Sequence, residues 1–196
     1  MKHADIRKIN KALMENLDEK RYEHTLGVAY TATALAMRYE ESIPKAYLAG
    51  LLHDCAKCLD DANKIDICNK HNIVITKTEQ KNPFLLHAKV GSFMAKDTYD
   101  VQDTDILNAI LYHTTGRPNM TLLEKIIFIA DYIEPNRKDA PNLELIRKTA
   151  FEDLDETLIM ILNDTLEYLK TKSHDIDPMT ENTLHFYMQT NMESEE

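Results

Sequence analysis

The chain has 196 residues, 43% of them hydrophobic, which suits one domain with a full core and excludes a disordered or membrane-embedded protein. Lysine and arginine total 23 against 33 aspartate and glutamate, and the formal charge of −10 argues against non-specific binding to nucleic acid or a membrane surface. The charged start, Met1-Lys2-His3-Ala4-Asp5-Ile6-Arg7, lacks a signal peptide's apolar run, and no transmembrane stretch follows, so a cytoplasmic location is expected.

Period-3.6 patterning predicts an all-α chain, a single domain over 1–196 with its core at about 19–172. A first helix is expected over 3–17 on Ile6, Ile9, Leu13 and Leu17. A second runs over 19–39 on Tyr22, Leu26, Ala29, Thr33 and Ala36. Ser42 and Pro44 open a third that carries Leu48, Leu52, Cys55 and Leu59 inward and runs to about residue 59. A short fourth helix over 61–71 precedes a loop over 72–82, which includes the isolated β-like run Ile73-Val74-Ile75-Thr76. Pro83 opens a fifth to about 99, and Asp103 or Thr104 caps a sixth that ends at His113. After the turn-rich Thr114-Thr115-Gly116-Arg117-Pro118-Asn119, Thr121 and Glu124 form a capping-box pattern for a seventh, to about 132. Further helices follow over 141–150, 153–172 and 178–189, then an acidic tail from Met192.

Three cysteines, Cys55, Cys58 and Cys68, make no disulfide framework. Cys55-Ala56-Lys57-Cys58 fits C-x-x-C, but no second close Cys or His pair completes a zinc site and no strand precedes it for thioredoxin-like chemistry. Small buried helix residues are the simpler reading.

The chemistry gathers at His53-Asp54, an imidazole and a carboxylate side by side in an apolar run. Burying them costs several kcal/mol unless something pairs with them, and a divalent metal can pair with both. A single histidine in an apolar helix is more often a satisfied core residue than a ligand. The set in order, His24, His53-Asp54, His87, His113 and Asp131, makes the stronger case. Imidazole and carboxylate without thiolate suit iron(II), manganese or zinc better than calcium or magnesium. Six ligands exceed the needs of one catalytic metal. Two ions bridged by a carboxylate, roughly 3.5–4 Å apart, would use them all and suit attack by activated water on phosphorus.

The ordered set resembles the HD-domain phosphohydrolases and, more narrowly, the YqeK family of symmetrical diadenosine tetraphosphatases. The resemblance is carried by Arg21-Tyr22-Glu23-His24-Thr25-Leu26-Gly27-Val28, Gly50-Leu51-Leu52-His53-Asp54-Cys55-Ala56-Lys57 and Leu86-His87-Ala88. It is completed by His113-Thr114-Thr115-Gly116-Arg117-Pro118 and by Ile129-Ala130-Asp131-Tyr132-Ile133-Glu134-Pro135-Asn136-Arg137. It implies an HD-type helical bundle that binds iron, as one or two ions, with manganese or another divalent metal as substitutes. It further implies symmetrical rather than asymmetrical hydrolysis of diadenosine tetraphosphate, giving two ADP. By the same likeness His24, His53, Asp54 and Asp131 hold one metal, while His87 and His113 hold a second or face the substrate phosphates. The partners implied are a dinucleoside polyphosphate substrate and its ADP product, without nucleic acid or membrane; a homodimer is compatible with this reading. A nucleoside monophosphate or (p)ppGpp hydrolase on the same scaffold is the alternative, and a non-catalytic nucleotide-binding HD domain the one after that.

Individual roles follow. Asp54 is expected to bridge and Lys57, one turn later, to neutralise a phosphate oxygen, so these two are the expected catalytic residues. Arg21, one turn before His24, is expected at the same mouth. Arg137 offers a bidentate fork for phosphate, and Arg117 either does the same or decorates its loop. Thr114 and Gly116 lie where backbone N–H groups can approach phosphate. Cys55 and Ala56 join Arg21, His24, Asp54 and Lys57 in the expected substrate contacts, as do His87, His113, Thr114, Arg117, Asp131 and Arg137. Glu134 is expected to order the 131–137 turn. The aromatic candidates for the adenine end, Tyr22, Phe84, Tyr112, Tyr132 and Phe186, are each more often core residues.

Overall fold

A computed structural model describes residues 5–172 and 175–194, and among them it contains helices and no strand. Side-chain caps set most of the starts. Asp5 caps α1 (Ile6–Asn16), Asp18 caps α2 (Glu19–Arg38) and Asp60 caps α4 (Asp61–Lys70). Asp103 caps α7 (Thr104–Tyr112), and Asp153 caps α10 (Leu154–Thr171). The expected Thr121–Glu124 capping box is present at α8 (Leu122–Ile133). The remaining helices are α3 (Ile43–Leu52), α5 (Lys77–Lys81), α6 (His87–Asp97), α9 (Leu143–Thr149) and α11 (Pro178–Ser194).

Helix α8 is the axis of the fold. Leu123, Ile126, Ile127, Phe128, Ile129 and Ala130 are all buried, which covers almost the whole circumference of the helix. A helix apolar all round has to be enclosed. Here α2, α3, α7, α9 and α10 pack on it. Each fully buried isoleucine or leucine contributes ~1.5–3 kcal/mol by leaving water, so this axis anchors the surrounding helices. Helices α2 and α3 make the tightest pair: a Cβ on Gly50 would lie 2.8 Å from the Ala29 Cα, so only glycine permits this approach. Against that frame α10 and α11 pack together at one side, and α4 and α6 form a smaller cluster around Ala56, Cys68, Leu86 and Val90.

Five local expectations are corrected. Helix α3 ends at Leu52 rather than near residue 59, and the chain continues in three-residue turns. These join Cys55 N to Leu52 O, Lys57 N to Asp54 O and Leu59 N to Ala56 O. A repeat of three mimics a repeat of 3.6 over so short a run. Ser42 makes no side-chain cap, although Pro44 does sit in the first turn of α3. The expected loop 72–82 contains α5, started by a capping box between Thr76 and Glu79. Pro83–Leu86 forms a 3-10 turn, and the α-helix proper begins at His87. The acidic tail continues as helix to Ser194, and the last two residues lie outside the described chain, as do His3 and His174.

Candidate active site

Each of the four site histidines is delivered from a helix end or helix face with its ring already oriented. His53 follows the last residue of α3, and its Nδ1 lies 2.7 Å from the Gly50 carbonyl. His87 starts α6 with Nδ1 2.7 Å from Phe84 O, and His113 follows α7 with Nδ1 2.7 Å from Ile110 O. A carbonyl only accepts, so these three Nδ1 atoms carry the proton and donate. The lone pair is left on Nε2, as metal-binding imidazoles require. His24, on α2, differs in facing carboxylates with both nitrogens, Nδ1 3.2 Å from Glu134 Oε1 and Nε2 3.0 Å from Asp131 Oδ1.

All four Nε2 atoms turn towards Asp54. Its Oδ2 lies 3.5 Å from His53 Nε2 and 3.9 Å from His24 Nε2. Its Oδ1 lies 3.4 Å from His87 Nε2 and 3.5 Å from His113 Nε2. One carboxylate therefore faces two imidazole pairs with its two oxygens. Asp131, from the last turn of α8, closes the first group with Oδ1 3.0 Å from His24 Nε2 and 3.9 Å from His53 Nε2. Two overlapping triads, His24-His53-Asp131 and His53-Asp54-His113, each bring their ligand atoms within 4.8 Å of one another.

The fit to a cation shows in what these atoms lack. His24 Nε2, His53 Nε2 and Asp54 Oδ1 are buried without a hydrogen-bond partner among the described residues, and orphaned polar atoms in a protein interior are costly. A divalent ion beside Asp131 would satisfy the two nitrogens together, while Asp54 Oδ1 faces the other imidazole pair. Burial pushes His53 down to about 4, and it drives His87 lower as well, helped by Lys57 and His113. Burial works against the Asp54 carboxylate, but His53, His113 and Lys57 around it hold its pKa well below the usual value. Asp131 is also lowered, since His24 and His53 outweigh its burial. Neutral imidazoles and ionised carboxylates are the protonation states that ligate metal. His24 moves the other way: burial lowers its pKa, but Asp131, Glu134 and Asp54 together raise it.

The basic groups expected at the mouth divide into two kinds. Arg21 places Nη1 2.7 Å from Asp54 Oδ2, and Lys57 places Nζ 3.6 Å from Asp54 Oδ1 and 3.0 Å from His87 Nε2. Both are about one-third exposed, so they reach the site from its open side. Arg137 donates to the Asp131 carbonyl at 3.0 Å, lies 3.4 Å from Asp131 Oδ1 and covers the Tyr132 ring. Arg117 forks instead onto the buried Glu124 at 2.9 and 3.0 Å and lies over Tyr112. Thr114 Oγ1 stands 3.3 Å from His87 Nε2 and 3.2 Å from His113 Nε2. Gly116 takes a φ of +63°, and a Cβ there would strike Thr183 of α11. Cys55 and Ala56 are buried with their side chains in the apolar clusters, so only their backbone can meet a substrate.

Sequence reasoning placed Glu134 in its turn, where Oε2 does accept from Asn136 N at 2.7 Å. It missed the other oxygen's contact with His24, made across a sequence separation of 110. It also missed Arg147 of α9, which donates to the carbonyls of Ile133, Glu134 and Arg137 and so clamps the segment that carries Asp131 and Glu134. A lone arginine in a short helix offers no sequence signal for that. His71 packs on Phe93 and His185 is exposed on α11, so neither joins the site.

This geometry defines a histidine–aspartate centre on a helical scaffold, and residues 21–136 match the family model of the HD domain, to which the chain belongs. Within it the chain groups with symmetrical bis(5'-nucleosyl)-tetraphosphatases. The protein of that name from Bacillus subtilis (strain 168) is 42% identical over 85% of this chain and 88% of its own. The one from Staphylococcus aureus (strain NCTC 8325 / PS 47) is 38% identical over 93% and 94%. A crystal structure from Clostridium acetobutylicum, described as that of a predicted HD superfamily hydrolase involved in NAD metabolism, superposes with a TM-score of 0.92 at 43% identity, covering 95% of this chain and 98% of that one. Among the described residues, no helix is long and apolar enough to cross a membrane.

Proposed function

We propose that this protein hydrolyses diadenosine tetraphosphate symmetrically to two ADP, with a divalent ion, iron in the first place, held by His24, His53, Asp54 and Asp131. The observation that supports it most strongly is Asp54 itself. A nearly fully buried carboxylate sits among four Nε2 atoms, two of which have no hydrogen-bond partner among the described residues, in a chain whose relatives carry that activity by name. A divalent ion there supplies Lewis-acid activation of water and neutralises charge on phosphate oxygens.

The chain's own residues do the rest. Symmetrical cleavage breaks the central P–O–P bridge: water's oxygen joins one of its phosphorus atoms, and the bridging oxygen leaves with the other ADP. Arg21 and Lys57 flank Asp54 from the open side and set positive charge beside the phosphates that flank this bridge. Arg137, beside Asp131, offers N–H groups to a phosphate further along the chain. His113 and Thr114 border the Asp54 Oδ1 side, where the Thr114 hydroxyl can turn to a phosphate oxygen. Arg117 acts by holding its loop on Glu124. The polyanion thus meets a locally basic mouth on a chain of net charge −10.

Asp54→Ala tests the assignment. It should strip bound metal and abolish turnover while the helical circular dichroism spectrum persists. Undiminished metal content in that variant would refute the ligand assignment.

A further inference from the structure

Beyond Asp54 Oδ1 lies a corner built like a second metal position. His87 Nε2 and His113 Nε2 stand 3.4 and 3.5 Å from that oxygen and 3.2 Å from each other. Lys57 stands in it. Its Nζ is 3.0 Å from His87 Nε2 and 3.6 Å from Asp54 Oδ1. The His87 Nδ1 proton is engaged by Phe84 O, so Nε2 holds the lone pair and the ammonium donates to it. That lone pair is the one a metal would need. An ammonium and a divalent ion repel strongly at such separations, so they compete for the corner.

The other side of Asp54 is different. Arg21 bonds only the carboxylate there, at Oδ2, and an anionic oxygen has further lone pairs to offer a metal. Among the described residues no side chain donates to His24 Nε2 or His53 Nε2, and both nitrogens are buried. The His24–His53 pair thus accepts no proton from a side chain among the described residues, whereas at the other pair His87 accepts from Lys57, which also forms an ion pair with Asp54 Oδ1.

We propose that Lys57 is the resident cation of the second position, so that the chain binds one divalent ion and uses an ammonium where a two-metal hydrolase places its second ion. This rests on the metal-centre reading above. It also explains how six potential ligands can surround a single metal. Lys57 is about one-third exposed, so N–H groups not directed at His87 remain free for a phosphate oxygen arriving from the mouth.

Metal stoichiometry tests it independently of turnover. Wild type, Lys57→Arg, Lys57→Met and Lys57→Ala are loaded with manganese(II) under anaerobic conditions, freed of excess and assayed for manganese per chain. Electron paramagnetic resonance is recorded on each. Wild type and Lys57→Arg should hold one ion with the spectrum of isolated manganese. Lys57→Met and Lys57→Ala should take up a second ion, and the spectrum should become that of a spin-coupled pair, because Asp54 has an oxygen on each side. Two ions in wild type, or one ion in both neutral variants with helical spectra intact, would overturn the role of Lys57. No ion in any form would overturn the metal centre along with it.

Discussion

Glu134 holds His24 from behind: its Oε1 lies 3.2 Å from the imidazole Nδ1, so the opposite nitrogen is turned towards Asp131 and Asp54. Partners of this kind fix the tautomer and basicity of a ligand and are worth about 10–100-fold in metal affinity. Glu134→Ala should therefore weaken metal binding by about that factor in a chelator competition assay. Glu134→Gln, which keeps an acceptor for Nδ1–H, should lose less. Equal affinity in wild type and Glu134→Ala would remove Glu134 from the site.

Gly27 gives that carboxylate its space. A Cβ at this position would fall 2.4 Å from Glu134 Oε2, closer than any real contact, so the side chain must move. In an exposed helix, glycine to alanine stabilises by about 1 kcal/mol. Gly27→Ala should thus separate two properties usually lost together. Thermal stability should stay level or rise, while metal affinity falls as Glu134 is displaced. Unaltered metal affinity would mean that Glu134 can shift without disturbing His24.

Acid should destabilise the metal-free protein before its carboxylates titrate. Burial keeps folded His53 neutral down to about pH 4, whereas the unfolded residue titrates near 6.5. Between those values the unfolded chain binds a proton that the folded chain refuses. Stability is complete above pH 6.5 and falls with pH, by up to about 3 kcal/mol from this residue. His87 acts in the same direction. His24, whose pKa is raised, partly opposes them, with stability that is present below 6.5 and lost as pH rises through its folded value. Urea unfolding of chelator-treated protein across this range should show the decline, and His53→Gln should flatten it.

The two arginines flanking the site should fail differently when removed. Arg117 neutralises Glu124, whose side chain is fully buried, although Thr121 N also donates to that carboxylate. Arg117→Ala strands the charge and should cost about 1–3 kcal/mol, seen as a lower melting temperature. Arg137 is more exposed and holds only the Asp131 side of its turn, so Arg137→Ala should melt near wild type while turnover drops. Equal melting shifts in both variants would contradict the division.

Much of this was legible in the chain because local chemistry declares itself. Asp103 and the Thr121–Glu124 box mark real helix starts, and the apolar run of α8 marks the axis. The end of α3 was hidden, because Cys55 stays buried in the turns much as it would in a helix. The six site residues could be picked out because each is polar among apolar or small neighbours. Their sharing could not. That Asp54 divides its oxygens between two imidazole pairs, and that Glu134 and Arg147 brace the far side, depends on contacts between distant segments. The placement of Lys57 likewise depends on the turn after Asp54, which aims it at His87 from a separate helix.

The most direct test of the whole account is the product of diadenosine tetraphosphate hydrolysis by the iron(II)-loaded protein, resolved by anion-exchange chromatography at early time points. ADP alone is expected, two per substrate consumed. Equal amounts of AMP and ATP, or no turnover with metal bound, would contradict it.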